Sequence, residues 1–384
     1  MKRKYLLLPI LSILIISIFA YSGLFIPKPN QSENLDVFVG VDAAYDNLEE
    51  IKNSVDEISS YTNTFVIGST GITYDENKLN DACQYLYDKD MNFMIYMHPQ
   101  NKTDKLDEQR RWVENARMTW GQHFLGLYAF DEVGGRQLDN ASYRLPIEKP
   151  DNYTDAADKW VNELSLILLH IRESPINSGN LPLFTSDYAL YWFDYKGGYD
   201  VVFAEFGWNY SRQLNVALDR GAATVQGKEW GTMITWTYNH PPYLESGDDL
   251  YQDMVLAYDN GAKYILVFDT NENYTHGVLG EEHLQALKRF WNYATNNPRK
   301  YKTMSARVAF VLPEGYAYGF RGPNDKIWGF WEADDQSYPI SATLGQLLSD
   351  YDTELDVIYE DGLNPIELIE YGKLIFWNGT TYIP

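Results

Sequence analysis

The fold class this 384-residue sequence predicts is a (β/α)8 barrel, the TIM-barrel architecture, followed by a smaller open α/β unit. Three observations predict it. From Val37 onward, short apolar runs alternate with amphipathic stretches of helical period, and eight such pairs fit into about 260 residues, the span one barrel needs. The runs are nearly continuous rather than alternating, so both faces of each strand are covered, as in a parallel sheet wrapped by helices. After Asn296-Asn297-Pro298 and the basic linker Arg299 to Lys302 the pattern restarts, which marks a boundary. An open doubly wound sheet would use the same alternation and is the alternative. The expected division is an N-terminal segment over 1–30, a barrel over 31–298 and a small α/β domain over 299–384.

The predicted strands run Val37–Val41, Thr64–Gly68, Asn92–Met97, Leu125–Phe130, Leu181–Thr185, Val201–Ala204, Gly231–Thr235 and Tyr264–Phe268. Helices are expected over Leu48–Ser59, Glu76–Tyr87, Asp104–Thr119, Ala156–Arg172, a short piece after Asp187, Ser211–Asp219, Asp248–Asn260 and Glu281–Thr295. Asp75, Thr103-Asp104 and Thr154-Asp155 supply starts, because a side-chain oxygen there can accept a free N–H of the first turn. Cys83, the one cysteine, reads as the buried side of a helix. The second unit is expected to contain strands over Ala306–Leu312, Leu355–Tyr359 and Lys373–Trp377, with helices over Ile340–Asp350 and Pro365–Tyr371. A doubly wound domain would continue past Pro384, so this one reads as ending on its third strand or as cut short.

The chain holds 31 Lys or Arg against 54 Asp or Glu, a formal charge of −23, and no dense basic run follows the first four residues. That excludes a nucleic-acid partner, which needs a basic face. With 45% hydrophobic residues and 11 Trp, 31 Tyr and 17 Phe, disorder is excluded too. Lys2, Arg3 and Lys4 precede an uncharged apolar run from Tyr5 to Ile26, long enough to span a bilayer. It reads as a transmembrane anchor with the bulk outside, or as a cleaved signal ending near Ala20-Tyr21-Ser22. Sequons at Asn30, Asn101, Asn140, Asn152, Asn209, Asn273 and Asn378 fit an exported face.

In such a barrel the reacting groups sit at the C-terminal strand ends. Those ends carry Asp42, Ser69, His98, Asp131 with Glu132, Asp187, Glu205, Trp236 with Tyr238, and Asp269. The strongest local signal is Gly126-Leu-Tyr-Ala-Phe-Asp131-Glu132-Val-Gly134-Gly135, two acids ending a buried strand before glycines that let the backbone turn closely around a ligand. Glycosidic cleavage needs a protonated carboxyl and a second carboxylate. Glu132 is the expected acid, its pKa raised by like-charge repulsion from Asp131. Glu205, set among aromatics, or Asp131 is the expected partner. Asp42, His98, Asp187, Trp192, Trp208, Trp236, Tyr238 and Asp269 are the expected sugar-binding groups, the aromatic faces packing on pyranose C–H surfaces. For Asp42, Asp187 and Asp269 a structural role as cap or hydrogen-bonded carboxylate stands as the alternative.

Other chemistries lack their parts. No His-Glu-x-x-His, no phosphate-cradling Gly-x-x-x-x-Gly-Lys and no Gly-x-Ser-x-Gly elbow occurs, and no metal or cofactor is expected. With the strand ends in view, Val37 to Thr295 resembles the TIM-barrel glycoside hydrolases, on Phe130-Asp131-Glu132 and the aromatic-flanked Glu205. The tail from Ala306 is similar in arrangement to the amidotransferase-like α/β domain of some beta-galactosidases, and is the expected surface for any self-association. The largest clan of such enzymes carries a second Glu after the seventh strand, where this chain has Thr235-Trp236-Thr237. An acidic pair after the fourth strand looks like enzymes acting on N-acetylhexosaminides, where the Asp steadies the acetamido group. A four-and-six arrangement is similar to some alpha-galactosidases. The resemblance implies an outward-facing glycosidase; a non-catalytic glycan-binding or envelope-structural protein on the same scaffold is the rival.

Overall fold

The computed structural model describes residues 35–97, 103–172, 181–299, 307–361 and 371–383. Eight parallel strands close into a barrel in sequence order: β1 (Phe38–Ala43), β2 (Thr64–Ile67), β3 (Asn92–Tyr96), β4 (Phe124–Tyr128), β5 (Leu183–Asp187), β6 (Val201–Phe206), β7 (Glu229–Ile234) and β8 (Tyr264–Asp269). Closure is made by β1 pairing with β8 from Phe38↔Tyr264 to Ala43↔Asp269. The open-sheet alternative is thereby set aside.

The helices follow the expected alternation: α1 (Leu48–Ile58), a short α2 (Thr70–Thr73), α3 (Glu76–Asp88), α4 (Thr103–Trp120), α5 (Val133–Leu138), α6 (Tyr153–Arg172), α7 (Tyr191–Gly197), α8 (Arg212–Val225), α9 (Gly247–Asp259) and α10 (Glu281–Asn296). Asp75 caps α3 by accepting from Asn77 and Lys78 N–H, and Cys83 is buried with Leu79 and Leu86. Helix α6 begins ahead of Thr154 because Asn152 takes the Asp155 N–H at 2.9 Å. Helix α8 runs past its expected end at Asp219, with Arg220 and Gly221 buried against the second unit.

Side chains alternate across a strand, so one parity of each strand fills the barrel. Phe38, Val66, Met94, Tyr128, Phe184, Val201, Phe203, Met233, Tyr264, Leu266 and Phe268 form that interior. The floor is aromatic, with Phe184 and Phe203 stacked at 5.8 Å and Tyr264 edge-on to Phe184 at 5.3 Å. Each buried ring contributes roughly 1.5–3 kcal/mol of transfer free energy.

The second unit is a four-stranded sheet in the order β10-β9-β11-β12, built from β9 (Val308–Leu312), β10 (Leu355–Tyr359), β11 (Lys373–Phe376) and β12 (Thr381–Tyr382), with α11 (Ser337–Tyr351) between β9 and β10. The first three are parallel; β12 returns antiparallel on β11, a fourth strand the sequence reading lacked. The helix expected over Pro365–Tyr371 falls almost wholly outside the described residues. Residues 36–383 form one compact body. Its seam is α8 on β10, where Arg220 Nε donates to Asp356 Oδ1 at 2.8 Å, Nη1 to Asn260 Oδ1 at 2.9 Å, and Nη2 to the Thr353 and Leu355 carbonyls. The apolar N-terminal run lies outside the described residues, among which no helix is long and apolar enough to cross a membrane.

Candidate active site

Strand parity sorts the predicted residues before any contact is considered. Phe38, Phe203 and Phe184 point inward, so Asp42, Glu205 and Ser186, at even spacing beyond them, point inward at the C-terminal mouth. Asp187 and Asp269 are one residue past Ser186 and Phe268 and point outward.

The fourth strand delivers its acid pair through a strained turn. Phe130 and Glu132 both hold left-handed backbone, at φ 59° and 54°, at a cost of about 1–2 kcal/mol each for an L side chain. The strand beside them offsets that strain: Glu132 N–H donates to the Ser186 carbonyl at 2.9 Å, and Thr185 Oγ1 and Tyr199 Oη donate to the Phe130 and Ala129 carbonyls. Asp187 completes the clamp. Completely buried, it accepts N–H from Gly134, Gly135, Tyr188 and Ala189 at 2.6 to 3.1 Å. Burial pushes its carboxyl up to about 7 while those four donors hold it back. The glycines therefore admit the β5–α7 loop rather than a ligand. A Cβ on Gly134 would meet the Ala189 carbonyl, and one on Gly135 the Tyr188 ring.

Inside the mouth, Asp131, Ser186, Glu205 and Tyr128 form one network. Tyr128 Oη donates to Asp131 Oδ1 at 2.6 Å and lies 2.8 Å from Ser186 Oγ, which is 2.9 Å from both Asp131 Oδ1 and Glu205 Oε1. Two bonds of that length put the Asp131 and Glu205 oxygens within about 6 Å of each other. Ser186 has one proton for two carboxyl oxygens, so the second contact is a hydrogen bond only if a carboxyl carries a proton. Glu205, 5% exposed, is that group: burial, then Glu132 and Asp131, raise its pKa well above the ordinary glutamate value. Asp131 is instead faced by Arg136, whose Nη2 lies 3.4 Å from Oδ2.

Glu132 stands beside this network, with Arg136 Nε 3.6 Å from Oε2. Its carboxyl is pushed up to about 8, chiefly by burial and next by Asp131, with Arg136 opposing. The repulsion expected from the adjacent acid is present but second to desolvation. Asp42, 2% exposed, has its pKa raised well above the aspartate value by burial, then by Asp131 and Asp269. Its Oδ1 is buried and accepts no hydrogen bond. Gly68 makes room for it, since a Cβ there would collide with that oxygen.

The remaining predicted residues divide. Asp269 turns outward and accepts N–H from Val278 and Leu279 at 2.5 and 3.0 Å, which shapes the loop after β8. Trp192 is buried in the seam, its ring 5.2 Å from Tyr359 and its Nε1 3.3 Å from Asp361, so it is remote from the sugar-binding role expected of it. Trp208 and Tyr238 are exposed on the mouth loops. Trp236 is tied to the Thr270 carbonyl at 2.9 Å and packs against Tyr243, Phe268 and Tyr274. His98 lies outside the described residues. The sequence reading missed Tyr128, Ser186 and Arg136, although strand parity flags the first two. It also missed Arg321 from the second unit, which donates to Asp139 at 2.6 Å and lies over Tyr188, itself stacked on Tyr210.

A closed (β/α)8 barrel with carboxyls converging in an aromatic-rimmed C-terminal mouth is the class that fold and site define. No protein-family model matches the sequence, and no curated protein matches it significantly. Among solved structures, a GH5_18 variant from Bifidobacterium longum subsp. longum in complex with Manb1-4GlcNAc is similar at 11% identity and TM-score 0.52, covering 90% of this chain and 97% of that one. A beta-1,4-D-mannanase from Cryptopygus antarcticus is similar at 12% identity and TM-score 0.43, covering 66% and 90%. At 11% identity the likeness to the first of these is one of fold alone, a closed (β/α)8 barrel.

Proposed function

We propose that the protein is a glycoside hydrolase working by two-carboxylate chemistry. The observation that carries this reading is the pair Asp131 and Glu205, bridged by one serine, beside Glu132. Glu132 keeps its proton near neutral pH and delivers it to the leaving glycosidic oxygen. The Asp131–Ser186–Glu205 assembly supplies the second carboxylate. Trp208, Trp236 and Tyr238 supply ring faces for the sugar. The exported location rests on the basic flank and apolar run at the N-terminus and on exposed sequon asparagines at 140, 152, 209, 273 and 378. We read the second unit as amidotransferase-like in arrangement, with its β12 edge as the surface for self-association.

The test is turnover of aryl glycosides and envelope polysaccharides by the full chain and by Glu132→Gln. General-acid loss is expected to lower kcat by about 10²–10⁴-fold on substrates with poor leaving groups, and by much less on activated aryl glycosides. Equal turnover on both sinks the assignment. Glycan binding without turnover in the wild type favours the non-catalytic reading instead.

A further inference from the structure

The mouth holds four carboxyl groups, Asp42, Asp131, Glu132 and Glu205, and the guanidinium in contact with them is Arg136. Arg136 is committed: it faces Asp131 and Glu132, and its guanidinium lies 4.8 Å from the centroid of the Tyr143 ring. Asp131 has Tyr128 and Ser186 as donors, and Glu205 is in hydrogen-bond contact with the same Ser186 hydroxyl. Asp42 differs from all of these. It is 2% exposed, points into the mouth by strand parity, and leaves Oδ1 buried with no donor. A buried acceptor without a partner costs about 1–3 kcal/mol, more when the group is charged.

A neutral pyranose hydroxyl would satisfy one lone pair without offsetting the charge that Asp42 carries when ionised. An N-acetyl group offers a single N–H donor and no charge, with a carbonyl oxygen and a methyl beside it. An ammonium group brings three N–H donors and a positive charge on a compact centre. Aromatic rings stand at the same mouth, Tyr96 at 5.2 Å from Tyr128 and Tyr274 at 6.5 Å from Trp236, and aromatic faces attract cations as well as sugar C–H groups. Among the described residues no group of three or more His, Cys, Asp or Glu side chains is arranged to hold a metal ion. From Asp42 and its surroundings we propose that the site takes a cationic amino sugar, a hexosamine residue with a free amine, whose ammonium pairs with the Asp42 carboxylate. This rests on the glycosidase reading above and specifies its substrate class.

The experiment measures binding by calorimetry at 0.15 M salt, where diffuse attraction to an acidic protein is screened over about 8 Å. The protein is full-length Glu132→Gln, expected to turn glycan over about 10²–10⁴-fold more slowly. The probes are tetramers of glucosamine and of galactosamine, each with its fully N-acetylated counterpart. At least one amine tetramer is expected to bind about 10- to 100-fold more tightly than its acetylated form. Adding Asp42→Asn, isosteric and only one charge different, is expected to reduce that preference to less than about threefold, by weakening the amine form more than the acetylated one. Equal or tighter binding of the acetylated tetramers overturns the proposal, and that result needs no Asp42 variant. A preference that survives Asp42→Asn overturns it as well. If neutral glycans are cleaved by the wild type and amine forms are not bound, only this inference falls. Should no glycan be bound or cleaved, the glycosidase reading falls with it.

Discussion

At the seam between α8 and β10, Arg220 and Asp356 are 3% and 0% exposed, and each is met by partners: the guanidinium by a carboxylate, an amide and two carbonyls, the carboxylate also by Tyr371 Oη at 2.9 Å. At the barrel mouth, Asp42 and Glu205 are 2% and 5% exposed; Glu205 meets a serine hydroxyl that Asp131 also contacts, Asp42 Oδ1 accepts no hydrogen bond, and among the described residues no cation pairs with either. Burial raises the carboxyl pKa in both places, but Arg220 pulls Asp356 back whereas Asp131 pushes Asp42 and Glu205 further up. The difference separates carboxylates that hold the molecule together from carboxylates the fold tolerates at a cost. Groups of the second kind are what a binding or catalytic site is made of.

The comparison is most strongly tested at the seam. Arg220→Ala leaves Asp356 buried without its cation and is expected to lower unfolding free energy by about 3–5 kcal/mol in urea titration. Replacing both partners with apolar residues, Arg220→Met with Asp356→Leu, should recover most of that loss. A change below about 1 kcal/mol for Arg220→Ala would mean that the seam carries little of the stability. At the mouth the sign should reverse. Asp42→Asn and Glu205→Gln remove a buried acid with no cationic partner, and at pH 8 each is expected to leave stability unchanged or raise it by about 1–2 kcal/mol. Destabilisation on the scale of Arg220→Ala would erase the distinction.

A pH titration of stability sharpens the same contrast. A carboxyl whose pKa is raised on folding contributes stability that is fully present below its unfolded pKa and is lost as pH rises toward the folded value. For Glu132 that window runs from the ordinary 4.5 to about 8, and Asp42 and Glu205 act in the same direction. The wild type is therefore expected to lose stability as pH rises across this range. Glu132→Gln should flatten the decline, because its side chain no longer titrates. A slope identical in the variant would place the titrating groups elsewhere.

The division between seam and mouth was only half legible in the sequence. Apolar runs located all eight strands, and the acids at their ends were named. What went unused was the parity within each run: Phe184 inward makes Ser186 inward and Asp187 outward, and Phe268 does the same for Asp269. That signal is local and was available. Trp192 and Arg220 are different. Their partners lie in β10 and in the residues flanking it, well over 100 residues later in the chain, and nothing in the spacing around either one announces the contact. Long-range packing overrode a local reading in both cases, turning an expected rim aromatic into seam packing and an expected helix end into helix interior.

Ser186 gives the smallest effect and the finest discrimination between a supporting and a functional role. Its hydroxyl sits between Asp131 and Glu205, and its hydrogen bond lowers the pKa that burial and the neighbouring acids raise on Glu205. In Ser186→Ala that counterweight is gone while Tyr128 still donates to Asp131. Net stability should change by only about 1 kcal/mol, since one modest hydrogen bond is lost and Asp131 keeps its Tyr128 donor. The pH profile of turnover responds differently: the limb that reports Glu205 should move to higher pH, and Ser186→Thr, which keeps a hydroxyl, should restore it. A loss of several kcal/mol with an unmoved profile would make Ser186 a packing residue of the barrel, grouping it with the seam rather than the mouth.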